Sequence, residues 1–267
     1  MGVNLSLVVA TYNEEENIKD CLESAKDFVD EIVIIDGSSQ DKTARIAKSY
    51  TSKVFMVPNQ MMFHKNKQLG LDKASGDWIL QLDADERLTL ELKNEIKERI
   101  KKDKEEIDGY FIPRKNYFLA KFLKKGGQYP DYVIRLVKKN KAFFPCKSVH
   151  EQIEVSGKIG YLTNNLIHLA NPTFSKYLRN ANRYTTLTAQ KLDEQKTSLG
   201  FFSWLNYLFW LPIKTFFNLF FRHKGFIDGF YGFIFAVFSG LHFSIAFIKY
   251  WEAKKLKKSF DLNGDWE

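Results

Sequence analysis

The residues best placed to do chemistry are the acids of Asp83-Ala84-Asp85-Glu86, which close the run Trp78-Ile79-Leu80-Gln81-Leu82. Three carboxylates in four positions, at the end of a strand-like run, repel and raise one another's pKa. The cluster therefore needs either a solvated turn or a positive partner. If the chain is extended, Asp83 and Asp85 point the same way. One Mg2+ or Mn2+ could then bridge them to phosphate oxygens, since such ions combine one or two carboxylates with phosphate and water. The plainer alternative is that the acids cap the next helix, where negative charge is favourable. A lone D-x-D is weak, but two further acidic loops accompany it: TYNEEE (11–16) and DGSSQD (36–41), each following an apolar run. Asp36, at the tip of its run, is suited to accept hydrogen bonds from a base or ribose.

The elements that must position these loops are legible as periodicity. Residues 5–10, 31–36, 53–57 and 78–82 are short apolar runs of strand type. Helical patterns separate them: one opening at Asn13–Glu16 with Ile18, Leu22 and Ala25 on one face, one from Asp41, and one over 65–73. Strand and helix alternate four times in about 85 residues, which predicts an α/β domain with a mainly parallel sheet and crossover helices. Ligands bind such sheets at the carboxyl ends of the strands, so the three acidic loops are expected on one rim. A charged helix at roughly 89–106 follows, then antiparallel strand patterns in 109–118, 132–139 and 141–155. A mostly polar helix is expected over 173–195.

A chain of 267 residues allows one large domain and an appendage. The net charge of +8 and pI near 9.2 suggest an anionic partner: nucleotide, nucleic acid or anionic lipid. The lysines are scattered or sit in the tail, without a basic-aromatic stripe, which argues against nucleic acid. Two distant cysteines, Cys21 and Cys146, form neither a disulfide framework nor a zinc spacing and fit a reducing compartment. The start of the chain runs into LSLVVA without a basic segment and apolar stretch, so no signal peptide is expected.

VVATYNEEENI, IIDGSSQDKT and KASGDWILQLDADE, in this order and spacing, resemble family 2 glycosyltransferases with the GT-A (Rossmann-like) fold. GGQYPDYVIRL, SVHEQIEV and LIHLANPT are similar to the branch containing lipopolysaccharide-core β-1,4-glucosyltransferases and related bacterial surface-glycan enzymes. The resemblance implies a UDP-sugar donor, a divalent cation (Mg2+ or Mn2+) and inverting transfer of a hexose, glucose in this branch, to an acceptor hydroxyl. It places Thr11, Tyr12 and Glu14 in the loop that contacts the nucleotide, and Asp36 on the uracil. It makes Asp83 and Asp85 the metal-binding D-x-D, with Asp85 the more direct ligand, and Glu151 the base. On the residues alone Glu151 also reads as a surface acid of an alternating strand, with Asp131 the rival base. His150 is suited to orient Glu151 or bind acceptor; Arg135 and His168 are candidates for the diphosphate or acceptor phosphates. Arg135 otherwise reads as an exposed strand position, and Lys65, Asn66 and Lys67 as a solvated helix face within reach of the nucleotide. The Q-x-x-R-W motif of processive synthases is missing from the sequence, which points to addition of a single sugar.

The resemblance and the composition divide the chain into a glycosyltransferase domain at 1–196 and a Phe-rich helical region at 197–267. The first has a nucleotide-binding half at 1–90 and an acceptor-side half at 107–196. Fourteen of the 24 phenylalanines lie between Phe201 and Phe247, and the segments 201–221 and 226–248 are each long enough to span a bilayer. Pro212, Lys214, Asp228 and His242 interrupt them, and the linker Arg222-His223-Lys224-Gly225 is basic, as is the tail KKLKK. A spanning hairpin would carry that linker across the membrane against the positive-inside rule, whereas in-plane helices break no rule. The expectation is peripheral or monotopic attachment to the cytoplasmic face of a bacterial inner membrane, beside a lipid-linked glycan acceptor. A soluble helical subdomain and a spanning pair are the alternatives for the tail. For the whole chain they are a polyprenyl-phosphate glycosyltransferase and a non-catalytic nucleotide-sugar-binding membrane protein.

Overall fold

The computed structural model describes residues 4–60, 62–101, 106–146 and 151–260. Its strands are β1 (Leu5–Thr11), β2 (Glu31–Asp36), β3 (Val54–Met56), β4 (Trp78–Leu82), β5 (Glu86–Leu88), β6 (Ile107–Phe118), β7 (Lys121–Phe122), β8 (Asp131–Lys138), β9 (Ala142–Phe143), β10 (Glu154–Val155), β11 (Lys158–Tyr161) and β12 (Leu166–Asn171). Its α-helices are α1 (Ile18–Ala25), α2 (Thr43–Lys48), α3 (His64–Lys73), α4 (Leu90–Lys101), α5 (Phe174–Glu194), α6 (Phe201–Leu205), α7 (Leu211–Phe217) and α8 (Gly229–Leu256). Two compact units result: residues 1–115 with 131–168, and residues 116–130 with 169–267.

The main sheet runs β3-β2-β1-β4-β8-β6-β12-β5, with β7 and β11 also paired to β6. Continuous apolar runs make its centre because β1 is covered on both faces. Leu5, Leu7 and Val9 pack on one side with Leu22 and Ala25 of α1 and Leu92 and Ile96 of α4. Val8 faces the other side with Ile35, Leu71 and Ile79. Helix α3 approaches β1 closely through Gly70, where an added Cβ would lie 2.4 Å from Val8 Cγ1. Parallel pairing of β1 with β2 sets Thr11 opposite Asp36, and parallel pairing with β4 sets Val9 opposite Leu82. The carboxyl ends of three strands thus share one edge. At β4–β8 the sheet turns antiparallel, with Leu80 opposite Leu136.

At the other end of the sheet Glu31 acts as a staple. Its carboxylate accepts from Ser6 Oγ and Lys53 Nζ, and from the Ser75 amide at 2.7 Å and hydroxyl at 2.8 Å.

Residues 13–16 do not begin α1, which starts at Ile18. They are held as a loop because side chains take their amides: Ser39 Oγ from Asn13 at 2.9 Å, Thr43 Oγ1 from Glu14 at 2.8 Å and Asp41 from Glu15 at 3.1 Å. Asn13 adopts φ 51°, a left-handed conformation that asparagine tolerates.

In the second unit the segment 201–222 is a broken helix, α6 and α7 alternating with wide π turns at Asn206–Trp210 and Asn218–Arg222. Pro212, with no N–H to donate, follows the first of these turns. After a short turn at Gly225–Asp228 comes one 28-residue helix, α8, long and apolar enough to cross a membrane by length and composition alone. Gly240 lets α8 lie against the broken helix, since a Cβ there would meet the Pro212 carbonyl at 2.6 Å.

Candidate active site

The rim at the ends of β1 and β2 has two buried polar atoms without a hydrogen-bond partner, Thr11 Oγ1 and Asp36 Oδ2. The other Asp36 oxygen accepts the Ser39 amide at 2.7 Å, and Gly37 N–H donates to Thr11 O at 2.8 Å, so the two strand ends are fixed together. Tyr12 is half-buried beside Gly37. Glu14 Oε2 accepts from Asn17 at 2.7 Å, which ties this side chain into its own loop. A buried acceptor without a donor costs about 1–3 kcal/mol, and a ligand that donates there would remove that cost.

The acids after β4 meet cations supplied by the fold. Asp83 pairs with Lys67 of α3 and with Arg135 of β8, and Gln81 donates to it at 3.2 Å. Arg135 also donates to Gln81 Oε1 at 2.6 Å and to Glu86 Oε1 at 2.9 Å. The fully buried Glu86 accepts from Arg114 at 3.3 Å and, through its other oxygen, from the Asp83 amide at 3.0 Å. Arg114 Nη2 reaches Asp131 at 2.7 Å. Burial alone would raise the Asp83 pKa, but Arg135 and Lys67 override it and hold the carboxyl well below its usual range. Asp83 is therefore saturated by the protein's own cations.

Asp85 is different. Its partner is His168, with Oδ2 to Nε2 at 3.5 Å. Burial acts to lower the imidazole pKa, yet the Asp85 charge reverses the balance and the net shift is upward. Burial would raise the Asp85 pKa, but His168 pulls it down. Among the described residues no three His, Cys, Asp or Glu side chains form a metal cage. Asp85 and His168 together still suit a divalent ion: one carboxylate and one imidazole, with the remaining ligands coming from phosphate and water.

Asp83, Asp131 and Arg135 are thus joined through Glu86 and Arg114, while Asp85 and His168 form a pair beside them. Arg135 is buried, not an exposed strand position, because it neutralises the buried Glu86 and the half-buried Asp83. Lys67 and Asn66 are buried as well, and Lys67 is spent on Asp83. Glu151 lies between β9 and β10, half-buried with Oε2 sealed from solvent. Burial first, and the Glu151 charge second, push the Cys146 thiol up, which sets Glu151 near Cys146. His150 lies outside the described residues. Sequence reasoning missed Arg114 and the pairing of Glu86. The available signal was a cation between apolar neighbours in a strand, Ile134-Arg135-Leu136, which needs a buried counter-charge; Arg114, followed by Lys115, carried no such signal.

The mainly parallel sheet, its acidic rim and the C-terminal apolar helix are those of a GT-A domain with a helical appendage. Residues 6–154 match the family described as Glycosyl transferase family 2. The chain is 28% identical over 264 residues to the lipopolysaccharide core biosynthesis glycosyltransferase LpsC of Rhizobium meliloti (strain 1021), covering 95% of this chain and 94% of that one. It is 27% identical over 252 residues to the uncharacterized glycosyltransferase RP128 of Rickettsia prowazekii (strain Madrid E), covering 86% and 80%. Among solved structures it is similar to glucosyl-3-phosphoglycerate synthase from Mycobacterium tuberculosis in complex with Mn2+ and UDP-glucose. There the identity is 22% and the TM-score 0.37, over 42% of this chain and 44% of the synthase. The chain belongs to glycosyl transferase family 2.

Proposed function

We propose that this glycosyltransferase moves a single hexose, glucose in the first instance, from a UDP-sugar to a hydroxyl of a lipopolysaccharide core or related cell-surface glycan, with inversion. The observation that carries the donor half is the unpartnered Asp36 Oδ2 beside the unpartnered Thr11 hydroxyl. A uracil ring presents an N–H donor that would satisfy the carboxylate. The acceptor half is supported by the likeness to LpsC over nearly the whole chain.

Asp36 holds the base, and Thr11 and Tyr12 line the approach to it. Asp83, locked by Lys67 and Arg135, fixes the turn that presents Asp85. Asp85 and His168 would hold a divalent cation, and when bound that ion supplies Lewis-acid stabilisation of charge on the departing diphosphate. Glu151 takes the proton of the acceptor hydroxyl as its oxygen bonds to the anomeric carbon. The bond from that carbon to the diphosphate oxygen breaks on the opposite face, and UDP leaves with the electron pair. Glu151, a half-buried carboxylate, suits this role because a positioned side-chain oxygen can accept the hydroxyl proton. The acceptor is lipid-linked, and the protein works on the cytoplasmic face of a bacterial inner membrane.

Calorimetric titration with UDP in the presence of Mn2+ tests the donor site. Asp36→Ala should weaken binding by roughly ten- to 150-fold, the cost of losing one buried hydrogen bond to a charged group. Unchanged affinity in that variant, or no UDP binding by the wild type, would overturn the reading.

A further inference from the structure

The second unit turns an apolar surface outward. Of the 25 large hydrophobic side chains exposed among the described residues, 18 lie between Phe201 and Leu256. Phe202 is 85% exposed, Trp210 62% and Phe230 70%. On the broken helix Leu205, Phe209, Ile213, Phe217 and Phe221 recur every four residues, all exposed. On α8 Phe230, Leu241, Ile245 and Ile248 do the same at helical spacing. A water-facing helix would place charges there; here Lys214 is the one charged side chain between Phe201 and Phe221.

The inward side of α8 is tied to polar elements at both ends and in the middle. Near its start the Asp228 carboxylate accepts the Lys124 and Lys125 amides at 3.0 and 2.8 Å, and Gly126 N–H donates to His223 O at 2.9 Å. In the middle His242 lies 2.9 Å from Thr188 Oγ1 of α5. Towards the end Lys249 donates to Asn182 O at 2.8 Å, Tyr250 OH donates to Thr197 O at 2.6 Å, and Lys254 pairs with Asp193. Helix α8 is about 42 Å long at the usual rise, more than the ~30 Å hydrocarbon layer. If it crossed a bilayer, α5 with Lys176, Arg183 and Glu194 would be drawn into hydrocarbon with it.

We infer that the segment 201–222 and α8 form one docking surface for an anionic lipid layer, lying in its plane with the apolar outer faces inserted. This rests on the lipid-linked acceptor proposed above. Basic groups flank the apolar surface at both ends: Arg222 and Lys224 at one, Lys254, Lys255, Lys257 and Lys258 at the other. That charge pattern selects lipid over a second copy of the chain. Two copies paired through these faces, parallel or antiparallel, would set basic ends against basic ends, whereas anionic headgroups complement both. Trp204, Trp210 and Trp251 suit the interface between headgroup and hydrocarbon.

The test is sedimentation of the full chain with phosphatidylcholine vesicles, with and without phosphatidylglycerol. Binding should be about tenfold or more stronger with the anionic lipid and should weaken with salt. The combined Phe202→Ser and Phe230→Ser variant should release the protein while keeping UDP affinity. On bound protein, Lys224→Cys and Lys255→Cys should both react with a membrane-impermeant maleimide. Protection of the first position alone would show a spanning hairpin and overturn the in-plane arrangement. No vesicle binding, or a lipid-free dimer broken by the same two serine substitutions, would overturn the lipid surface. Failure of wild-type UDP binding would instead strike the transferase reading and leave the vesicle result standing.

Discussion

Replacing Arg135 by methionine keeps most of the side-chain volume and removes the charge at the centre of the ion network. The guanidinium is buried and serves Gln81, Asp83 and Glu86 at once. Breaking a buried pair by deleting one partner typically costs about 3–5 kcal/mol, because a desolvated charge is left behind. Neither acid is stripped completely here: Asp83 keeps Lys67, and Glu86 keeps Arg114 at 3.3 Å and the Asp83 amide at 3.0 Å. The loss should therefore fall at the low end, about 3 kcal/mol, or roughly 6–12 °C in Tm for a chain of this size. Adding Glu86→Gln removes one of the charges that Arg135 neutralised, so the double variant should recover about 1 kcal/mol or more of the single variant's loss. Thermal and urea unfolding followed by circular dichroism at pH 7 give both quantities. A loss under about 1 kcal/mol for Arg135→Met, or strict additivity with Glu86→Gln, would refute the claim that this arginine is the counter-charge of the rim.

Glu151→Gln should lower transfer by about 10²–10⁴-fold while UDP affinity stays within about twofold, since the base meets the acceptor and not the nucleotide. Near-wild-type turnover in that variant would remove Glu151 from the mechanism. Asp85→Asn and His168→Gln should each reduce Mn2+-assisted UDP binding by about tenfold or more, and chelation of the metal should reproduce the effect in the wild type. Retained Mn2+ dependence in both variants would exclude the pair as ligands. Burial would raise the Glu31 pKa, but Lys53, Ser6 and Ser75 outweigh it and hold the carboxyl down to about 2, against 4.5 unfolded. A depressed carboxylate stabilises above its unfolded pKa and loses that contribution as pH falls toward the folded value. Discounted for the half-exposed Lys53, Glu31→Gln should cost about 2 kcal/mol at pH 7 and close to nothing near pH 2. Urea midpoints across that range that fall in parallel for both proteins would contradict the assignment.

The strands at the centre were legible because burial on both faces leaves a continuous apolar run with no competing pattern. The runs at 31–36 and 78–82 coincide with β2 and β4 residue for residue. The rim followed from them, since parallel strands bring their carboxyl ends together whatever the loops contain. The start of α1 was misplaced because Asn13–Glu16 carries helix-compatible residues, while the hydrogen bonds that hold it as a loop come from side chains between Ser39 and Thr43. The built-in cations were hidden for a similar reason. Asp83 and Arg135 are 52 positions apart in the chain, and Asp85 and His168 lie on elements as distant, so no local spacing records either pairing. The sequence posed the need for positive charge beside the acids; only the fold showed that Asp83 and Glu86 meet it internally and that Asp85 turns to a histidine. In the Phe-rich region composition exposed the apolar character, but the breaks into π turns and the fastening of α8 to α5 depend on tertiary contact.

The most direct test of the account is UDP release by the purified protein from a panel of UDP-sugars, with detergent-solubilised core lipid as acceptor, in Mn2+ and in chelator. Turnover of one donor, UDP-glucose first, is expected to need both metal and acceptor lipid and to be lost in Asp85→Asn. Turnover undiminished by chelation and by that substitution would contradict it, as would a wild-type protein that releases no UDP from any donor.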